Sequence, residues 1–164
     1  MVTTTTIDRD WLLAELKTLI GDERKLATDV KQRVAAPPVP ELEVLYNEMA
    51  ADDDRHIMAL ETIATRYGHT PTRSQVAGVG ETLGRLTGQV AEIGSNSWDL
   101  VARDLAAKTS SMARRAAWVS VFETIGDDQS AGELGRIVAD DRAHQDALQN
   151  ALTRLLSSRV TGQP

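Results

Sequence analysis

Two of the three histidines in this chain follow an aspartate by three residues: Asp53 precedes His56, and Asp141 precedes His144. That spacing puts both members of a pair on one face of a helix, about one turn apart. Each pair also falls in an apolar stripe. Leu42, Leu45, Met49, Asp53, His56, Leu60 and Ile63 form one stripe, and Leu134, Ile137, Asp141, His144, Leu148, Leu152 and Leu155 form the other. Both pairs are therefore expected to point into a helical core. A buried carboxylate is costly unless it is paired or bound to metal. Two facing carboxylate-x-x-His pairs offer oxygen and imidazole ligands suited to iron or manganese. Glu23 lies on the stripe Leu12, Leu16, Leu19, Leu26 and Val30, at about the level of Asp53. It is a fifth candidate ligand.

The two pairs belong to a repeat. Residues 51–66 and 139–154 agree without gaps at eight of sixteen positions, including Asp52/Asp140, Asp53/Asp141, His56/His144 and Leu60/Leu148. Chance matches are common among helix-forming residues, but rarely bring two of only three histidines into register. A duplicated helical hairpin, with internal pseudo-twofold symmetry, is the reading.

The elements that must position these residues are helices. Hydrophobic residues are 41% of the 164 and aromatic ones only 4%. This length suits one domain with a real core, and the composition favours helix over sheet. Main helices are predicted over about 8–34, 40–67, 98–125 and 131–157, within a single domain spanning 1–164. The stops are Pro37-Pro38-Val39-Pro40, Gly68 with Pro71, and Gly126-Asp127-Asp128, and Ser130 is the expected cap of the fourth helix. The tail from Arg159 onward is expected to fray. Two short turns and one connection of about thirty residues make two antiparallel hairpins joined by a long crossover, 68–97. A short helix is expected in it near Glu81 to Ile93, with glycines spaced for a close helix contact. His69 is read as a solvated linker residue, and Trp11, Trp98 and Trp118 as packing residues. Asp52, Asp54 and Asp140 either support the site or are simply exposed.

Carboxylate-x-x-His on two helices, with Glu23 on another, resembles the ferritin-like superfamily, nearest to rubrerythrin-like and small bacterial stress-associated members. The resemblance covers about Asp8 to Ser157, with Asp where the family has Glu in both pairs. It implies an all-α, ferritin-like four-helix bundle with two metals, iron or manganese. The chemistry implied is that of dioxygen or peroxide, ferroxidase included. Glu23, Asp53 and Asp141 would be the carboxylate ligands, and His56 and His144 the terminal imidazoles. The third helix departs from the pattern. The repeat offset of 88 maps Glu23 onto Ser111, and no acid lies between Asp104 and Glu123. Its polar residues there are Lys108, Ser110, Ser111, Arg114 and Arg115. Three readings stay open: an intact two-metal site, a single or altered metal site, or a metal-free network in which Arg114 or Arg115 neutralises Glu23, Asp53 and Asp141. In the last the chain is a degenerate scaffold acting through its surfaces.

Other classes are excluded more simply. There is no cysteine, so no disulfide, thiolate nucleophile or Cys-ligated cluster. Lys plus Arg is 18 against 24 Asp plus Glu, without a basic block, which argues against nucleic acid. No apolar run approaches the roughly 18 residues of a membrane span. The N-terminal stretch lacks the features of a signal peptide, so a cytoplasmic setting is expected. A homo-oligomer, a dimer first, is the expected assembly, with a protein partner as the further expectation.

Overall fold

The computed structural model describes residues 7–71 and 97–162. Among them are four α-helices: α1 (Arg9–Ala35), α2 (Glu43–Arg66), α3 (Ser97–Ile125) and α4 (Asp128–Thr161). No strand occurs among the described residues.

The helix ends follow local chemistry, with some differences from expectation. Asp8 caps α1 by accepting from the Trp11 amide at 3.0 Å. Pro40–Leu42 is a 3-10 turn rather than the first turn of α2. Asp127, not Ser130, caps α4, accepting from the Ser130 amide at 2.9 Å. The helix begins at Asp128, so Asp127 stands just outside it with its carboxylate in reach of the Ser130 amide, and Ser130 lies inside the first turn. Ser130 instead lies buried and accepts from Arg66 at 2.7 Å. Gly126 makes the tight turn before the cap with φ +78°, a backbone conformation suited to glycine. The tail does not fray at Arg159: α4 continues to Thr161 and stops at Gly162, which is left-handed.

The apolar core has two parts. One joins Leu12, Leu16 and Leu19 of α1 to Leu60 and Ile63 of α2, Trp118 and Phe122 of α3, and Leu134 and Ile137 of α4. The other joins Val30 of α1 to Tyr46 and Met49 of α2, Val101 of α3 and Leu148 of α4. Thus α1 and α4 run one way, and α2 and α3 run the other. Hydrogen bonds at the two ends agree. Ser97 Oγ, opening α3, donates to the Pro38 carbonyl in the α1–α2 turn at 2.7 Å. Tyr67 Oη, just past α2, donates to Asp127 in the α3–α4 turn at 2.6 Å. The closest-packed pairs are α1 with α2 and α3 with α4, the two expected hairpins. The short helix expected near Glu81 to Ile93 lies outside the described residues. Among the described residues, no helix is long and apolar enough to cross a membrane.

The repeat is legible in the burial pattern. Tyr46, Met49, Asp53, His56, Leu60 and Ile63 are buried, and so are the residues 88 further on: Leu134, Ile137, Asp141, His144, Leu148 and Ala151. Matched residues lie at opposite ends of the bundle. Leu60 is in the first cluster and Leu148 in the second, while Met49 is in the second and Ile137 in the first. Equivalent halves in opposite directions meet at a polar layer between the two apolar clusters.

Candidate functional site

All five residues predicted as ligands are buried. Glu23, Asp53 and Asp141 are 0% exposed, His56 is 2% and His144 is 6%. Each Asp/His pair stands one turn apart on its helix, between apolar residues above and below. Three carboxylates stripped of water must find compensating charge.

The compensation comes from α3. Lys108 Nζ donates to Asp53 Oδ1 at 2.5 Å and to Asp141 Oδ1 at 3.1 Å. The Arg115 guanidinium binds Asp141 Oδ2 with one nitrogen and Glu23 Oε2 with the other. Both cations are 1% exposed. They are seven residues apart, two turns on one face, with Ser111 between them. Of the two arginines considered from the sequence, only Arg115 enters the layer. Arg114 lies outside and pairs with Asp22 at 2.5 Å and Glu15 at 3.5 Å. Burial pulls the Lys108 ammonium down, but Asp53 and Asp141 outweigh it and hold the group above the ordinary lysine value. Lys108 is therefore a fixed cation at neutral pH.

The histidines make a crossed arrangement. His56 Nε2 lies 3.2 Å from Asp140 Oδ2, and His144 Nε2 lies 3.0 Å from Asp52 Oδ2. The offset of 88 exchanges these contacts, Asp52 for Asp140 and His56 for His144. Asp52 and Asp140 thus support the site, whereas Asp54 is an exposed partner of Lys31. The symmetry breaks at the other ring nitrogen. His56 Nδ1 lies 3.1 Å from Glu23 Oε1. His144 Nδ1 is buried and has no hydrogen-bond partner among the described residues. Its counterpart of Glu23 is Ser111, which carries no carboxylate. Burial, then the Lys108 cation, hold His144 below the ordinary histidine value, so its ring is neutral at pH 7.

The same offset shows where the cations came into the pattern. Lys108 corresponds to Ile20 and Arg115 to Ala27, both buried apolar residues of α1. The α1–α2 hairpin brings two carboxylates to the layer, and the α3–α4 hairpin brings one carboxylate and both cations.

Donor atoms of Glu23, Asp53 and His56 lie within 4.8 Å of one another, a spacing at which a metal ion could be held. The full set does not fit two metals. Every carboxylate is already engaged by Lys108 or Arg115, and the acid opposite Glu23 is missing. Three carboxylates carry three negative charges, and the two side-chain cations offset two of them. Two divalent ions would add four positive charges to the one net negative charge of those five groups, an excess that only Asp52 and Asp140, beside the histidines, could offset.

Sequence reasoning identified the five buried ligand-type residues and left the counter-charge open between Arg114 and Arg115, with Lys108 as one polar residue among several. The available signal was its place one turn before Ser111 on the face that Arg115 also shares. The chain matches no family model, no curated protein and no solved structure.

Other ties hold the layer in place. Asp104 of α3 accepts from Tyr46 Oη at 2.7 Å and from Arg33 Nε at 3.0 Å. Arg66 of α2 donates to Glu133 of α4 at 2.5 Å. Trp118 is buried, while Trp11 is 55% exposed and packs on it with ring centroids 5.7 Å apart.

Proposed function

We propose that this chain is a metal-free bundle of the ferritin-like type that works through its surfaces as a protein-interaction scaffold, not as an iron or manganese oxidoreductase. One observation carries the reading: Lys108 and Arg115 between them bind all three buried carboxylates. A buried charge is tolerable only when it is paired, and each of the three buried carboxylates has a cation against it. The layer then has a structural task. It fixes the register of one hairpin against the other, because acids on one must meet cations on the other. A self-paired assembly of the first hairpin would bring carboxylates together without a cation.

The redox reading needs both cations, each 1% exposed, to leave the layer before metal enters. The interaction reading leaves the core closed and the outer faces free. Trp11, Val44 and Met58 are among the large apolar residues exposed on those faces. Dimerisation of the bundle belongs to the same proposal and is read by sedimentation.

The test is the metal content of protein produced with added iron or manganese, together with its thermal midpoint. The scaffold reading expects metal well below one per chain and a midpoint indifferent to either ion. Stoichiometric metal, with a midpoint that rises on its addition, sinks it.

A further inference from the structure

We propose that the outer face of α2 is a homodimer interface, on which α2 of a second copy packs antiparallel across a twofold axis at Ala51. The inference deepens the scaffold reading and rests on it: it names one partner, a second copy of this chain, and the surface that partner takes.

The face follows from the spacing of residues on α2. Val44, Ala51 and Met58 recur at every seventh position, so they form one line along the helix. That line lies opposite the buried stripe of Tyr46, Met49, Asp53, His56 and Leu60. Val44 and Met58 are each 68% exposed, and Ala51 is exposed between them. The repeat supplies a contrast. The residues 88 further on, on α4, are Gly132, Ala139 and Asp146, also exposed but without a large apolar side chain. Of the two matched helices, only α2 presents an apolar line to the outside.

The pattern is complementary to itself, as a twofold contact between identical copies requires. With the axis at Ala51, Val44 of each copy meets the partner's Met58. Methionine is flexible enough to fill the space beside valine. Ala51 meets its own copy, and its small side chain lets the two backbones approach. Charge fits the same register. Glu48 and Arg55 flank the line on one side, both exposed. Across the axis Glu48 faces the partner's Arg55, twice per dimer, and no charged residue faces its own copy. An axis at Glu48 or at Arg55 would instead set like charges together. Arg55 pairs with Asp52 along its own helix and still leaves its side chain 65% exposed, in reach of a second acid. On the other flank Asp54 is engaged by Lys31 at 2.7 Å and faces the partner's Asn47, not an acid. Exposed ion pairs of this kind add little affinity, but they select register and direction. The line is about 21 Å long, a small contact, so dissociation in the micromolar range is expected.

The test combines sedimentation with introduced cysteines, which the chain itself lacks. The native chain should pass from monomer to dimer across the micromolar range. Ala51→Arg places like charges on the axis and should weaken the dimer at least about tenfold. It lies at an exposed helix position, so far-ultraviolet circular dichroism should be unchanged. Val121→Arg, at an apolar residue exposed on α3, should leave the dimer as it is. Register is read in oxidised glutathione. Ala51→Cys should give a disulfide-linked dimer readily, Val44→Cys alone should not, and a mixture of Val44→Cys with Met58→Cys chains should give the mixed dimer. The proposal is overturned by a native chain that stays monomeric, by a dimer that survives Ala51→Arg or is lost in Val121→Arg, or by Val44→Cys linking to itself as fast as Ala51→Cys. None of these readouts depends on metal. Stoichiometric metal in the native chain would overturn the scaffold reading alone, so the two failures are distinguishable.

Discussion

Arg115→Met removes one guanidinium and leaves two buried carboxylates without it. Arg115 is 1% exposed and its partners Glu23 and Asp141 are 0% exposed. Breaking a buried ion pair from one side costs about 3–5 kcal/mol. A second route to the size uses proton uptake. The layer has lost one positive charge, and the simplest remedy is a proton on one carboxyl. At pH 7 a carboxyl of ordinary pKa, about 4, takes up a proton at roughly 4 kcal/mol. The two routes agree, and the second adds a pH dependence. At pH 5 the same proton costs roughly 1.4 kcal/mol, so the difference between variant and native chain should shrink by roughly 2–3 kcal/mol. Methionine fills much of the arginine volume, which keeps the packing term small. The assay is urea unfolding of both proteins followed by far-ultraviolet circular dichroism at pH 7 and pH 5. A penalty below about 1 kcal/mol at pH 7 would refute the reasoning. So would a large penalty that is the same at both pH values, since that would mark lost packing and not lost charge.

Three further outcomes follow from the same structure. The only two tyrosines are Tyr46 and Tyr67. Burial, then the bond to Asp127, push Tyr67 up to about 12. Burial and Asp104 push Tyr46 well above the ordinary tyrosine value. Raised folded values stabilise below the ordinary pKa of about 10, and that contribution fades as pH climbs through the folded values. Tyrosinate absorbance near 295 nm should stay absent at pH 10 in the folded chain and appear with unfolding above it; half-ionisation at pH 10 in folded protein would contradict this. His144 is lowered by burial and by Lys108. Its contribution is full above about pH 6.5 and fades as pH falls through the lower folded value. Histidine NMR titration should show its ring still neutral at the ordinary midpoint, and a ring half-charged there would be the contrary result. Asp127→Ala removes the α4 cap and the acceptor of Tyr67, so a loss of roughly 1–2 kcal/mol and a fall in the Tyr67 pKa are expected. Thermal unfolding and tyrosine titration read the two effects separately.

The fold and most of the layer could be read from residue periodicity. The stripes around Asp53/His56 and Asp141/His144 told which way the pairs point, because a polar residue between leucines at helical spacing has no other face to occupy. The offset of 88 told that the halves are equivalent, and burial follows it through α2 and α4. The α3 partners were harder. Arg114 and Arg115 are adjacent, so a one-residue rotation decides which enters the core, and α3 has a weak apolar stripe to set that rotation. Lys108 was less legible still, because a lysine in a helix is ordinarily a solvated residue. What brings it inside is the need of Asp53 and Asp141 for a counter-charge, a tertiary demand absent from its own neighbours in the chain. The α4 start was misplaced for a local reason: Asp127 and Ser130 are both good cap residues, and Asp127 is the one that stands just outside the helix.

The most direct measurement is an anomalous difference map from crystals grown with excess iron or manganese, centred between α2 and α4. The expected result is no anomalous peak there, with electron density for Lys108 Nζ between Asp53 and Asp141 and for the Arg115 guanidinium between Asp141 and Glu23. Two anomalous peaks ligated by Glu23, Asp53, His56, Asp141 and His144, with Lys108 and Arg115 turned away, would contradict it.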